Sequence, residues 1–116
     1  MVVEAPKLAL RDFEQAIELD SNNGDAYNGR GFVRASLGRH REAIQDAEEA
    51  LRHGPTSPRL LYNAARIYAQ CPDPYRQRAL ELIQQALSSL PADQRRAFWS
   101  THIRTDAALA NRVAAR

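Results

Sequence analysis

The chain has 116 residues, enough for one modest core, and its 44% apolar and 26% charged content is that of an ordinary globular protein. Sixteen cations and fourteen anions are interspersed with no run of five like charges, so the net charge of +2 describes a mixed, solvated surface and argues only weakly for nucleic acid. The lone cysteine, Cys71, excludes an intrachain disulfide, and no window approaches the roughly 18 apolar residues of a membrane span.

The opening Met-Val-Val-Glu-Ala-Pro lacks the basic start and long apolar stretch of a signal peptide. Together with the single cysteine this predicts a soluble protein of a reducing compartment, the cytoplasm, or a piece of one.

No stretch alternates with period two, and the residues between breakers are helix formers, so every predicted element is a helix. The first spans about residues 5–19 and places Ala9, Phe13, Ala16 and Ile17 on one face. It stops at the turn formers Asp20 to Gly24. The second spans about 25–37 and ends at Gly38, which can take the left-handed conformation after a helix. The third, about 40–53, ends at Gly54-Pro55, and Ser57-Pro58 then reads as a cap followed by a proline in the first turn. The fourth runs to about Gln70. Asp73-Pro74 repeats the cap-then-proline signal for a fifth helix reaching about Leu90. A sixth, about 92–103, carries Ala97, Phe98 and Trp99, and Thr105 or Asp106 caps a last short helix bearing Leu109 and Val113. Connections this short make successive helices antiparallel neighbours.

The helices repeat. Tyr27 and Gly31 recur 34 residues later as Leu61 and Ala65, while Ala43, Ala50 and Pro55 recur 36 later as Ala79, Ala86 and Pro91. The two additional residues fall between Cys71 and Gln77. Ala9, Phe13 and Ala16 stand 34 before Ala43, Ala47 and Ala50, so the chain begins with the second half of a hairpin.

This period, with small residues at these places and a closing proline, resembles the tetratricopeptide repeat family. The resemblance rests on Tyr27, Gly31, Ala43, Ala50 and Pro55 in one unit and on Leu61, Ala64, Ala65, Tyr68, Ala79, Ile83, Ala86 and Pro91 in the next. It departs at Arg30, Arg34 and Ala47, where larger apolar or aromatic residues are usual in the family. "FWSTHIRTDAAL" is similar to the ends of some bacterial arrays of the family, which suggests a fragment of such an array. The fold implied is an all-α superhelix of antiparallel hairpins. It comprises a partial repeat over 5–23, complete repeats over 24–57 and 58–91, and a capping helix and tail over 92–116 anchored by Phe98 and Trp99.

In this family the first helix of each hairpin lines a concave groove that receives partners as extended peptides or helices. Carried onto this sequence, the groove residues are Asp25, Asn28, Gly29, Phe32 and Ser36, then Arg59, Tyr62, Asn63, Arg66 and Gln70. Each set recurs at three- and four-residue intervals and so shares a helix face. Arg59, Asn63 and Arg66 form a stripe that either forks onto carboxylates of an acidic peptide or is simply a solvated face. Phe32 is either an aromatic anchor for a ligand or a ring leaning into the neighbouring helix. Relatives that grip a terminal carboxylate use an asparagine where this chain has Gly29, so that partner is not expected.

Catalysis, cofactors and metals have no motif to support them. His40, His53 and His102 lack ligand spacing, Cys71 beside Pro72 reads as structural, and Asp46, Glu48 and Glu49 read as the wet side of a helix. The expectation is a non-catalytic protein-binding scaffold. The alternatives are a structural or self-associating segment of a larger protein and, more remotely, nucleic-acid binding through the arginines. The first helix lacks its hairpin mate, so its apolar face is expected to be covered by a second copy, by Val2 and Val3, or by upstream repeats.

Overall fold

The computed structural model describes residues 4–54 and 57–104. Six α-helices follow one another, with no strand among the described residues: α1 (Glu4–Leu19), α2 (Gly24–Ser36), α3 (His40–His53), α4 (Pro58–Ala69), α5 (Tyr75–Ser88) and α6 (Ala92–Phe98). A π-helical turn, Trp99–Ile103, continues α6, closed by the Arg104 amide donating to the Trp99 carbonyl at 2.8 Å.

The helix boundaries have local causes. Asn23 caps α2, its side-chain oxygen accepting from the Ala26 amide at 3.0 Å, and Ser57 caps α4 by accepting from Leu60 at 3.2 Å. Gly38 ends the first complete hairpin's leading helix at φ +82°, a conformation that a side chain disfavours. Asp73 does not cap α5. The helix starts at Tyr75 with Pro74 in the cap position and no side-chain cap bond. The α2–α3 connection has three residues and the α4–α5 connection five, so the longer turn is where the two repeats differ in length.

Each helix from α1 to α4 packs on the next, and α2 also packs on α4, so the leading helices of the two hairpins lie side by side. This is the expected all-α stack of hairpins. Its interfaces are built on small residues: Ala43, Ala47, Ala50, Ala64, Ala65, Ala79 and Ala86 are wholly buried and let helix axes approach. Leu61, Ile67, Tyr68, Leu82 and Ile83 fill the space between, each buried aliphatic side chain worth roughly 1.5–3 kcal/mol relative to exposure. Gly31 is there for closeness, because a Cβ would come within 2.8 Å of Ile67 Cδ1 and 3.0 Å of Asp46 Cβ.

The two arginines that depart from the family pattern are accounted for by an acid on the facing helix. Asp46 of α3 is 2% exposed. Arg30 of α2 binds it through Nη2 to Oδ1 at 2.8 Å and Nε to Oδ2 at 3.1 Å, while Arg34 donates Nη1 to Oδ2 at 2.9 Å. The hydrogen bonds that Arg30 donates to Asp46 raise the Arg30 pKa above its ordinary value, outweighing the opposing effect of burial. Reading Asp46 as solvated was therefore wrong. Its ion partners lie on another helix, and only the packing brings them to it.

The C-terminal part closes the second hairpin. Phe98 and Trp99 are half-buried against the core, and Ile103 is wholly buried within it. The Arg95 guanidinium ties α6 to the end of α5 by donating to the carbonyls of Leu87 and Leu90 at 3.0 Å. At the other end, Ala9, Phe13, Ala16 and Ile17 of α1 are half-buried on its α2 side. The outward side carries Lys7, Arg11, Asp12, Gln15 and Glu18, with Leu8 and Leu19 exposed among them. Pro55, Val2, Val3, Thr105, Asp106, Leu109 and Val113 lie outside the described residues.

Candidate functional site

The α2 and α4 helices lie side by side, and α1 packs on α2 beside them. A cleft of about 300 Å³ opens there, lined by Phe13 of α1, by Asp25, Asn28, Gly29, Phe32 and Val33 of α2, and by Arg59, Asn63 and Arg66 of α4. Seven of the ten residues read from the sequence as groove-facing therefore meet at one place.

The other three go elsewhere. Ser36 is exposed one turn further along α2, in an apolar recess with Ala5, Pro6, Phe32, Val33 and Leu37, and its hydroxyl donates back to the Phe32 carbonyl at 3.0 Å. Tyr62 turns toward the C-terminal segment. Its ring meets Phe98 edge-on at 5.9 Å and His102 at 5.2 Å, and its hydroxyl donates to the His102 carbonyl at 3.1 Å. Gln70 caps the end of α4, its Nε2 donating to the Arg66 carbonyl at 3.3 Å.

Within the cleft, Asn28 is part of the junction between hairpins more than of the open surface. It is 3% exposed, and its Nδ2 donates to the Leu60 carbonyl at 3.2 Å. Phe32 packs against the core and also lines the cleft, with the Arg66 guanidinium 4.3 Å from its ring centroid. Arg59 reaches across from α4 to Asp25 of α2 at 2.9 Å, an ion pair with both side chains more than half exposed. Such a pair is worth at most about 1 kcal/mol and is weakened by salt.

Phe13 and Val33 were not anticipated. Phe13 belongs to α1, and nothing in its own helix says that it crosses to α2. The signal was Gly29: a Cβ there would stand 2.3 Å from the Phe13 ring. The ring occupies the space that a side chain at position 29 would need.

Other reactive groups lie away from the cleft. Cys71 is buried, its thiol donating to the Ile67 carbonyl at 3.4 Å, and burial pushes its pKa up, away from the thiolate. Burial likewise raises the Tyr68 phenol, with the Glu48 carboxylate adding to it. Among the described residues no three His, Cys, Asp or Glu side chains come together as metal ligands, and no helix is long and apolar enough to cross a membrane.

Comparison with known proteins agrees with the hairpin architecture. A family model described as tetratricopeptide repeat matches residues 6–58 and, overlapping them, residues 33–73, together more than half of the chain. The mitochondrial import receptor subunit TOM70 of Homo sapiens is 35% identical over 57 residues, which is 49% of this chain and 9% of that protein. The chain thus spans a small part of that relative's length. No solved structure matches. On its repeat, its stacked hairpins and the extent of the family match, the chain belongs to the tetratricopeptide repeat family.

Proposed function

We propose that this chain is a non-catalytic scaffold whose concave groove receives a peptide or helix of a partner protein. The observation that carries the proposal is the convergence of α1, α2 and α4 on one cleft that combines aromatic walls with Arg59, Asn63 and Arg66. Repeats of this family generally mediate protein–protein interaction, and the relative named as an import receptor subunit agrees in kind. The cytoplasm is part of the same reading, since a single buried thiol suits a reducing compartment.

Reversing charge at the groove tests it. Peptides selected on the chain from a display library should lose at least about tenfold in affinity for the Arg59→Glu, Arg66→Glu double variant, roughly the coupling of two charged contacts. Helicity and melting should change little. Unaltered binding would remove the groove assignment.

A second reading, self-association, is favoured by Leu8 and Leu19 on the outer side of α1, 54% and 82% exposed. Sedimentation across a range of concentrations decides it, because a strict monomer is incompatible with assembly through that face. Nucleic-acid binding has less behind it. Arg30, Arg34, Arg39, Arg52, Arg59 and Arg78 each lie against a carboxylate of the same chain, which offsets the positive field at those six positions.

A further inference from the structure

The charges of α1 run against its own dipole. Between Ala5 and Arg11 the helix carries Lys7 and Arg11 and no acid, and between Asp12 and Leu19 it carries Asp12, Glu14 and Glu18 and no base. A helix is stabilised by the opposite order, with acids at its start and bases at its end. An antiparallel helix of the same charge order, laid alongside, brings the missing sign to each half.

The surface for such a neighbour is present. Ala9, Phe13, Ala16 and Ile17 are half-buried on the α2 side, which leaves Leu8, Asp12, Gln15 and Leu19 together on the outer side, all exposed. Their spacing of four, three and four residues confines them to an arc of about 60° at about 100° per residue. Lys7, Arg11 and Glu18, also exposed, run along one flank of this stripe.

One antiparallel register satisfies the stripe and its flank together. With a two-fold axis midway between Asp12 and Gln15, Leu8 lies opposite Leu19 of the second copy, and Asp12 lies opposite its Gln15, whose amide can donate to the carboxylate. The symmetry repeats both contacts. The same axis sets Glu18 of one copy opposite position 9 of the other, midway between Lys7 and Arg11 and about 3 Å along the helix from each. A two-fold brings the same flank of both helices together, so both bases reach that carboxylate. A parallel pair would instead set Lys7 on Lys7, Arg11 on Arg11 and Glu18 on Glu18.

We propose that the outer face of α1 binds a second copy of the chain, α1 against α1, as an antiparallel two-fold pair. This rests on the self-association reading and is separate from the groove between α2 and α4. Its affinity comes from the two Leu8–Leu19 contacts, and its direction from Lys7, Arg11 and Glu18, since opposite charges meet only in the antiparallel arrangement. A helix of 16 residues is about 24 Å long, so the contact is small and the pair exchanges readily.

Sedimentation equilibrium of the full chain, up to its highest soluble concentration, tests the pairing. Lys7→Glu with Arg11→Glu gives a wholly acidic flank, and Glu18→Lys gives a wholly basic one. Each variant alone should dimerise at least about tenfold more weakly than the parent, and an equimolar mixture of the two should recover the parent's affinity as a heterodimer. Both variants move charge toward the order that the helix dipole favours, so a weaker dimer cannot come from a weaker α1. Circular dichroism should show their helicity unchanged. Variants that dimerise as the parent does, or a mixture that fails to recover, would overturn the antiparallel α1 pair while leaving self-association through another face. A strictly monomeric parent would overturn both and leave the face to a different occupant.

Discussion

The two complete hairpins solve one packing problem with opposite chemistry. In α2 and α3, Arg30 and Arg34 converge on the buried carboxylate of Asp46. At the matching places in α4 and α5, 34 or 36 residues later, stand Ala64, Tyr68 and Leu82, all buried. The backbone arrangement is alike, but one hairpin is held across its middle by charge and the other by apolar contact. The repeat therefore specifies shape and volume, and the chemistry within that volume is free to change as long as all members of a cluster change together.

That contrast can be broken most severely by mixing the two solutions. Leu82→Asp places the carboxylate of the first hairpin into the second without its arginines, and we expect a loss of at least about 4 kcal/mol, enough to unfold a marginal domain. Urea denaturation followed by circular dichroism would measure it. Next in size is Asp46→Ala, which leaves two half-buried arginines facing each other. We expect a loss of about 2–4 kcal/mol, at the lower end of the range for a broken buried pair because both guanidinium groups retain some solvent. The triple change Arg30→Ala, Arg34→Tyr, Asp46→Leu copies the second hairpin into the first. It should recover most of that loss or exceed the original stability, and a triple variant as weak as Asp46→Ala would refute the equivalence of the two clusters.

Smaller effects sharpen the same comparison. Gly31→Ala in the first hairpin forces Ile67 and Asp46 apart and should cost about 1 kcal/mol net, the crowding being partly offset by the better helix propensity of alanine. Chemical denaturation against the parent chain gives the difference. The smallest effect belongs to the edge of the charged cluster, where the hydrogen bond from Arg39 holds the Glu42 carboxyl below its usual range. Its stabilising contribution is complete above the pKa of an unfolded glutamate and is lost as pH falls through the lower folded value. Melting curves of the parent and Glu42→Gln, compared from about pH 6 to about pH 3, should therefore converge at the acid end.

The hairpins were legible in the sequence because they are written locally. Small residues at Gly31, Ala43, Ala65 and Ala79 recur in register, and breakers such as Gly38 and Ser57-Pro58 mark helix ends within a few residues. What escaped was decided by partners on other helices. Asp46 reads as solvated until the arginines 12 and 16 residues earlier are brought over it. Tyr62 reads as groove-facing until Phe98 and His102 arrive beside it, and Gly29 reads as an empty place until the Phe13 ring fills it. Asp73 shows a different failure: a capping residue type in the expected place does not cap when the helix begins two positions later.

The wide turn at Trp99–Ile103 acts as a phase shifter for the end of the stack. Its Arg104-to-Trp99 hydrogen bond spans one more residue than an α-helical bond, and Ile103 points inward while Phe98 and His102 meet Tyr62. Deleting Ser100 would restore ordinary helical pitch and rotate Ile103 by about 100°, away from the core. The closing segment is thus a latch keyed by length as well as by composition. The same residues in the same order, with one fewer, would no longer engage.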